Sequence, residues 1–99
     1  MSVSFQESRT KENLMRAFAG ESQARNRYNI SASVADKNKL YVVGAIFRFT
    51  AEQEREHASI FYKHLSGLDG QNIEIEGAYP VNYTQSAIDL LNYAAKNEY

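Results

Sequence analysis

The chain of 99 residues contains no cysteine, one proline and five glycines. Without cysteine, it can form no disulfide, no thiolate nucleophile, no zinc–cysteine site and no cysteine-bound iron–sulfur cluster. A metal ion would therefore have to be bound by carboxylate and imidazole groups, which suit hard and borderline metals.

An excess of basic charge is also missing, because 11 Lys and Arg stand against 12 Asp and Glu and the formal net charge is -1. Proteins that bind nucleic acids usually carry such an excess to neutralise phosphates. No apolar run approaches the roughly 20 residues that cross a bilayer, and the N-terminus lacks the basic-then-apolar order of a secretory signal. The expected compartment is therefore the cytoplasm.

The distribution of proline and glycine predicts an all-α chain. No proline occurs from Thr10 to Ser66, whereas three glycines and the proline cluster between residues 67 and 80, as in a long connection. We expect one partial domain over residues 1–99, with Thr10 and Thr84 as helix N-caps. Its predicted elements are a first helix over about 10–36, a second over about 40–66, a crossover over 67–83 and the start of a third helix over 84–99.

Each of the first two predicted helices has an apolar face that is interrupted by charge. The faces follow steps of three and four residues, which keep side chains on one side of a helix. The short polar segment 37–39 makes the two helices an antiparallel hairpin. The two faces consist of Leu14, Phe18, Glu21, Arg25, Tyr28, Ala32 and Ala35, and of Val43, Phe47, Thr50, Glu54, His57 and Phe61.

Three potential ligands reach one level of this hairpin. Glu21 lies 17 residues before Asn38, and Glu54 and His57 lie 16 and 19 residues after it, so a rise of about 1.5 Å per residue places them at similar heights. A carboxylate in a bundle core is costly unless it is paired or binds a metal. Glu98, on the apolar line of the third helix, is a further candidate ligand.

Di-iron and di-manganese bundles use one Glu from each of two helices and a Glu-x-x-His pair from each of the other two. This chain supplies one such pair, Glu54 with His57, and lacks a second. Singly, a core histidine or a solvated glutamate would explain each residue. Their coincidence at one level favours a metal site over a metal-free helical interaction module whose inward charges pair across a dimer interface.

Two neighbours of the predicted site have open interpretations. Arg25 either offsets the negative charge of the carboxylates in a metal-poor state or packs its stem and directs its head to solvent. Tyr28, two turns from Glu21, either donates a hydrogen bond to a ligand carboxylate or is a core aromatic residue.

Two long segments resemble the helix signatures of the rubrerythrins, a ferritin-like family. They are Ala17-Phe-Ala-Gly-Glu-Ser-Gln-Ala-Arg-Asn-Arg-Tyr28 and Thr50-Ala-Glu-Gln-Glu-Arg-Glu-His57. The resemblance is dense from residue 10 to about 65 and looser to 99, where residues 94–98 resemble the start of a third-helix ligand motif. It implies a ferritin-like helix bundle in which Glu21, Glu54, His57 and Glu98 are iron ligands and Tyr28 lies beside the site.

The same resemblance implies a non-haem di-iron peroxidase that reduces hydrogen peroxide to water in oxidative-stress defence. Its cofactor would be two oxo- or hydroxo-bridged iron ions that alternate between the diferrous and diferric states. Electrons would come ultimately from NAD(P)H through a redox partner such as a rubredoxin. The ligand types also accept manganese, and a ferritin-like ferroxidase or iron-storage protein is the alternative function.

The chain departs from the family pattern in lacking a further third-helix glutamate, a fourth helix with Glu-x-x-His and a cysteine-bound rubredoxin domain. Two routes would complete the site. Either another chain supplies the missing helices, for instance after cleavage near Tyr99, or two copies pair and each supplies Glu21, Glu54 and His57. The stop after Glu98, without a C-cap glycine, favours the first route.

Overall fold

The computed structural model describes residues 9–98, and the side chains of Ala94, Asn97 and Glu98 lie outside this description. Three α-helices occur in the described range: α1 (Arg9–Lys37), α2 (Tyr41–His64) and α3 (Ala87–Glu98). A short 3-10 helix, Ser66–Leu68, follows α2. No strand occurs between residues 9 and 98, so the predicted all-α class is confirmed. None of the described helices is long and apolar enough to cross a membrane.

A tight turn at Asn38 and Lys39 folds α1 and α2 into an antiparallel hairpin. Lys39 adopts the left-handed conformation that often ends a helix, with φ of 62°. The Leu40 amide donates to the Ala35 carbonyl at 2.9 Å, and the Asn38 side-chain amide donates to the Val34 carbonyl at 2.7 Å. These bonds satisfy carbonyls that the end of α1 would otherwise leave unpaired.

Small residues let the two helices of the hairpin approach closely. Ala35 and Ala51 are fully buried, and Gly44 packs directly against the Asp36 side chain. Larger rings fill the space on either side, with Tyr28 stacked on Phe47 at a centroid distance of 6.0 Å. The two helices therefore form a closely packed pair.

The crossover returns along α1 toward the hairpin turn. Tyr79 lies against Gly20, and farther along the Gln85 carbonyl accepts a hydrogen bond from the Asn38 side chain at 3.2 Å. Because α3 begins at this end, it runs antiparallel to α1 and parallel to α2. Ala87 and Leu90 join the buried core. Among residues 9–98, α3 contacts α1 but not α2, so one side of α2 is left open.

Both predicted N-caps are wrong. Thr10 lies inside α1, because Arg9 is already helical. The third helix begins at Ala87 rather than at residue 84, since the Ser86 hydroxyl accepts a hydrogen bond from the Asp89 amide at 3.4 Å. The Thr84 hydroxyl instead accepts from the Ser86 amide at 3.2 Å. Two hydroxyl residues two positions apart offer competing caps, and the later one starts the helix.

Candidate metal centre

Helices α1 and α2 bring Glu21, Glu54 and His57 together. One carboxylate oxygen from each glutamate and one imidazole nitrogen all lie within 4.8 Å of one another. His57 Nδ1 lies 3.7 Å from Glu21 Oε2. The three residues that the sequence placed at one level, counted from the turn, therefore form one cluster in the structure.

Helix geometry and small neighbours explain this arrangement. Glu54 and His57 are three residues apart, so both project from one side of α2. Ala24, Ala51 and Ala58, which flank the cluster, are buried and keep the two helix axes close enough for Glu21 to reach across. A larger side chain at these positions would separate the carboxylates.

The cluster has a buried side and an exposed side. The side chain of Glu21 is 26% exposed, and that of His57 is 57% exposed. Glu54 is half-buried. His57 lies on the side of α2 that no other described helix covers, so the cluster opens toward the place where a bundle of four helices would have its remaining helix.

The buried oxygen Oε2 of Glu21 has no hydrogen-bond partner. Its distance of 3.7 Å from the imidazole nitrogen is too long for a hydrogen bond. A buried carboxylate oxygen without a donor is costly in free energy, and a bound cation removes that cost. The orphaned atom therefore fits a metal site better than a surface ion pair.

The spacing of the donor atoms also fits a metal ion. Donors about 2.1 Å from a shared ion are at most about 4.2 Å apart. The observed span of 4.8 Å closes by about half an ångström through side-chain rotation. Two carboxylates and one imidazole are a donor set that iron and manganese both accept, so the residues present fit the group that the resemblance implies.

Tyr28 is 5% exposed and lies two turns beyond Glu21 on the same face of α1. Its ring stacks on Phe47 and forms an apolar wall between the cluster and the hairpin turn. It thus has the packing of a core aromatic residue. Donation of a hydrogen bond from Tyr28 to a ligand carboxylate stays a prediction.

Glu98 belongs to the last turn of α3, but its side chain lies outside the described part of the chain. Its backbone is 11 residues beyond the start of α3, and that of Glu54 is 13 residues beyond the start of α2. Since both helices start near the hairpin turn, the two positions lie at similar distances from the turn along their own helices. The assignment of Glu98 as a ligand remains a prediction.

Arg25 makes a contact that the sequence did not reveal. Its Nη2 atom lies 3.8 Å from Glu52 Oε1 on α2, and Glu52 also lies 3.8 Å from Arg55. The Nε atom of Arg25 is buried and has no hydrogen-bond partner. Glu52 is on the outer flank of α2, and only the length of the arginine side chain brings the two together.

Comparison with known proteins gives one consistent result. The family model described as Rubrerythrin matches residues 12–98. The chain is 46% identical over 92 residues to a rubrerythrin of Clostridium perfringens, covering 92% of this chain and 47% of that protein. It is 50% identical over 92 residues to rubrerythrin-1 of Clostridium acetobutylicum, covering 91% and 47%. It is 43% identical over 98 residues to a rubrerythrin of Porphyromonas gingivalis, covering 99% and 48%.

The chain thus spans about half the length of the curated relatives it matches. The match includes both helices that carry the cluster, since residues 12–98 contain Glu21, Glu54 and His57.

Proposed function

Because the chain belongs to the rubrerythrin family and has its ferritin-like all-α fold, we propose that it forms half of a non-haem di-iron centre that reduces hydrogen peroxide in oxidative-stress defence. One observation supports this most strongly. Three ligand atoms from two packed helices lie within 4.8 Å of one another, and one of them, Glu21 Oε2, is buried without a hydrogen-bond partner.

Glu21, Glu54 and His57 would hold iron in this half-site. Two bound iron ions would supply the two electrons that, with two protons, convert hydrogen peroxide to two molecules of water, and an external donor such as a rubredoxin, supplied ultimately by NAD(P)H, would restore those electrons. Carboxylate ligands tolerate both oxidation states because their negative charge balances either cation.

The surrounding residues of this chain keep water from one side of the half-site. Tyr28, Phe47 and Ala24 are buried on the side of the half-site that faces the hairpin turn. His57 is exposed on the opposite side, where the helix that completes the bundle would lie. Burial on one side alone also strengthens the electrostatic interactions of Glu21.

A helix beside α2 would complete the bundle. Helix α3 already occupies the place beside α1 and not the place beside α2, and it would bring Glu98 to the site. A second copy of the chain, paired symmetrically through α1 and α2, would need the place that α3 fills. The arrangement therefore favours another polypeptide segment or chain, carrying the second Glu-x-x-His pair, over a symmetric pair of copies.

Iron binding by a matched pair of variants tests the proposal. We expect Glu54→Ala to abolish binding of ferrous iron, measured by anaerobic titration, because it removes one of three ligands. Glu56→Ala should leave binding unchanged, since Glu56 is 71% exposed and pairs with Arg55 outside the cluster. Equal binding by the two variants would contradict the proposal and favour a metal-free interaction module.

The reaction itself is tested on the completed bundle. Peroxide-dependent oxidation of a reduced rubredoxin supports the peroxidase. Oxidation of ferrous iron by oxygen with accumulation of a mineral core, without peroxide-dependent turnover, would instead assign the ferroxidase function.

A further inference from the structure

We infer that Arg25 is a counter-charge for the metal site, meaning that its guanidinium stabilises the carboxylate cluster without metal and opposes the entry of a cation. This inference rests on the proposed function, since it requires that Glu21, Glu54 and His57 bind a metal ion. It assigns to Arg25 a role in setting metal affinity, not in ligation.

The placement of Arg25 supports this role. Arg25 follows Glu21 by four residues on α1, so the two side chains project from one face with Cβ atoms about 6 Å apart. The inner edge of the guanidinium, at Nε, is buried and has no hydrogen-bond partner. Its outer edge, at Nη2, lies 3.8 Å from Glu52 Oε1, too far for a hydrogen bond.

Glu21, one helical turn away, also has a buried polar atom, Oε2, that lacks a hydrogen-bond partner. Two half-buried groups of opposite charge, each with one buried and unpaired polar atom, thus lie one helical turn apart on α1. Opposite charges at this range attract without contact, and partial burial strengthens the attraction. The positive charge of Arg25 therefore lowers the cost of holding two carboxylates together when no metal is bound.

A bound cation reverses the sign of this interaction. A divalent ion held by Glu21 would face the guanidinium across one helical turn, and like charges repel. Glu52 draws the outer edge of Arg25 toward the surface, so it moderates this repulsion. Removing Arg25 should therefore tighten metal binding, and removing the charge of Glu52 should weaken it.

Cobalt(II) alone is the probe, titrated into the 99-residue chain and followed by visible absorption and calorimetry. We expect Arg25→Met to bind Co²⁺ up to about tenfold more tightly and, without metal, to unfold at a lower urea concentration. Glu52→Gln should bind Co²⁺ about threefold more weakly. Arg55→Met is the matched control: it removes a positive charge that also pairs with Glu52, but one that is 60% exposed and lies outside the cluster, so its Co²⁺ affinity should not change.

Arg25→Lys separates charge from packing, because it keeps the positive charge and should keep the Co²⁺ affinity of the unchanged chain. If Arg25→Met lowers stability while its Co²⁺ affinity stays the same or falls, Arg25 serves packing only and the inference is overturned. Failure of the unchanged chain to bind Co²⁺ would overturn the proposed function together with it. Binding by the unchanged chain with no gain in Arg25→Met overturns the inference alone.

Discussion

At the scale of single residues, Asn38 links the hairpin turn to the crossover. Its side-chain amide donates to the Val34 carbonyl at 2.7 Å and to the Gln85 carbonyl at 3.2 Å. We expect Asn38→Ala to lower the free energy of unfolding by about 1–2 kcal/mol, because both carbonyls lose a donor. Urea denaturation followed by circular dichroism measures this. Asn26→Ala is the control, since Asn26 is exposed and makes one long bond of 3.3 Å; an equal loss in both variants would contradict the assignment.

The sequence was enough to predict which residues form the cluster, but not which of their atoms are buried. Counting from Asn38 was enough to bring Glu21, Glu54 and His57 to one level, because the rise of a helix is fixed. Counting does not reveal which oxygen loses its water: Glu21 Oε2 is buried, whereas Glu52 is 60% exposed. That difference depends on the tilt and rotation of α2 against α1, which small residues at the interface decide.

At the scale of the helices, Gly44 sets the distance between α1 and α2 near the turn. A methyl group there would overlap the Asp36 carboxylate and lie 3.3 Å from the Ala32 carbonyl oxygen. We expect Gly44→Ala to lower the free energy of unfolding by about 1–3 kcal/mol, despite the better helix propensity of alanine. The Asp36 carboxylate would have to move, which disturbs its 2.7 Å ion pair with Arg48.

Gly67→Ala is the matched control for this substitution. Nothing lies within 4 Å of a methyl group at Gly67, so its thermal unfolding should change little. A gain of stability in Gly44→Ala would show that the helices separate without cost, and the close approach would then not hold the hairpin together.

The elements themselves were mostly accessible from the sequence. The first two helices end within two residues of the predicted limits of 10–36 and 40–66, because proline and glycine are scarce inside them. The third helix was placed three residues too early, and within it Leu90 is buried whereas Leu91 is exposed. Its buried face is set by contact with α1, and no local pattern carries that information.

At the scale of the whole molecule, α2 has a large apolar surface that α1 does not cover. Its members at least half exposed include Val42, Ile46, Phe49 and Ile60. Monomeric proteins rarely leave such a surface open, so we expect the 99-residue chain to associate as its concentration rises, measured by sedimentation velocity.

Phe49→Lys should weaken this association, because it places a charge within the apolar surface. Val81→Lys is the control, since Val81 is 90% exposed but belongs to the crossover. If both the unchanged chain and Phe49→Lys sediment as monomers at every concentration, the exposed apolar surface of α2 does not drive association. The sequence left open whether another chain or a second copy of this chain completes the bundle. An exposed apolar helix face indicates that a partner is needed but does not identify the partner.

The path of the crossover has a consequence for the order in which the chain folds. Helices α1 and α2 are joined by only three residues, 38–40, so they can pair as soon as both have left the ribosome. Helix α3 must wait until residues 65–86 have returned along α1, and closing that long loop costs conformational entropy. The hairpin that carries Glu21, Glu54 and His57 can therefore assemble during synthesis, ahead of every segment that later covers it.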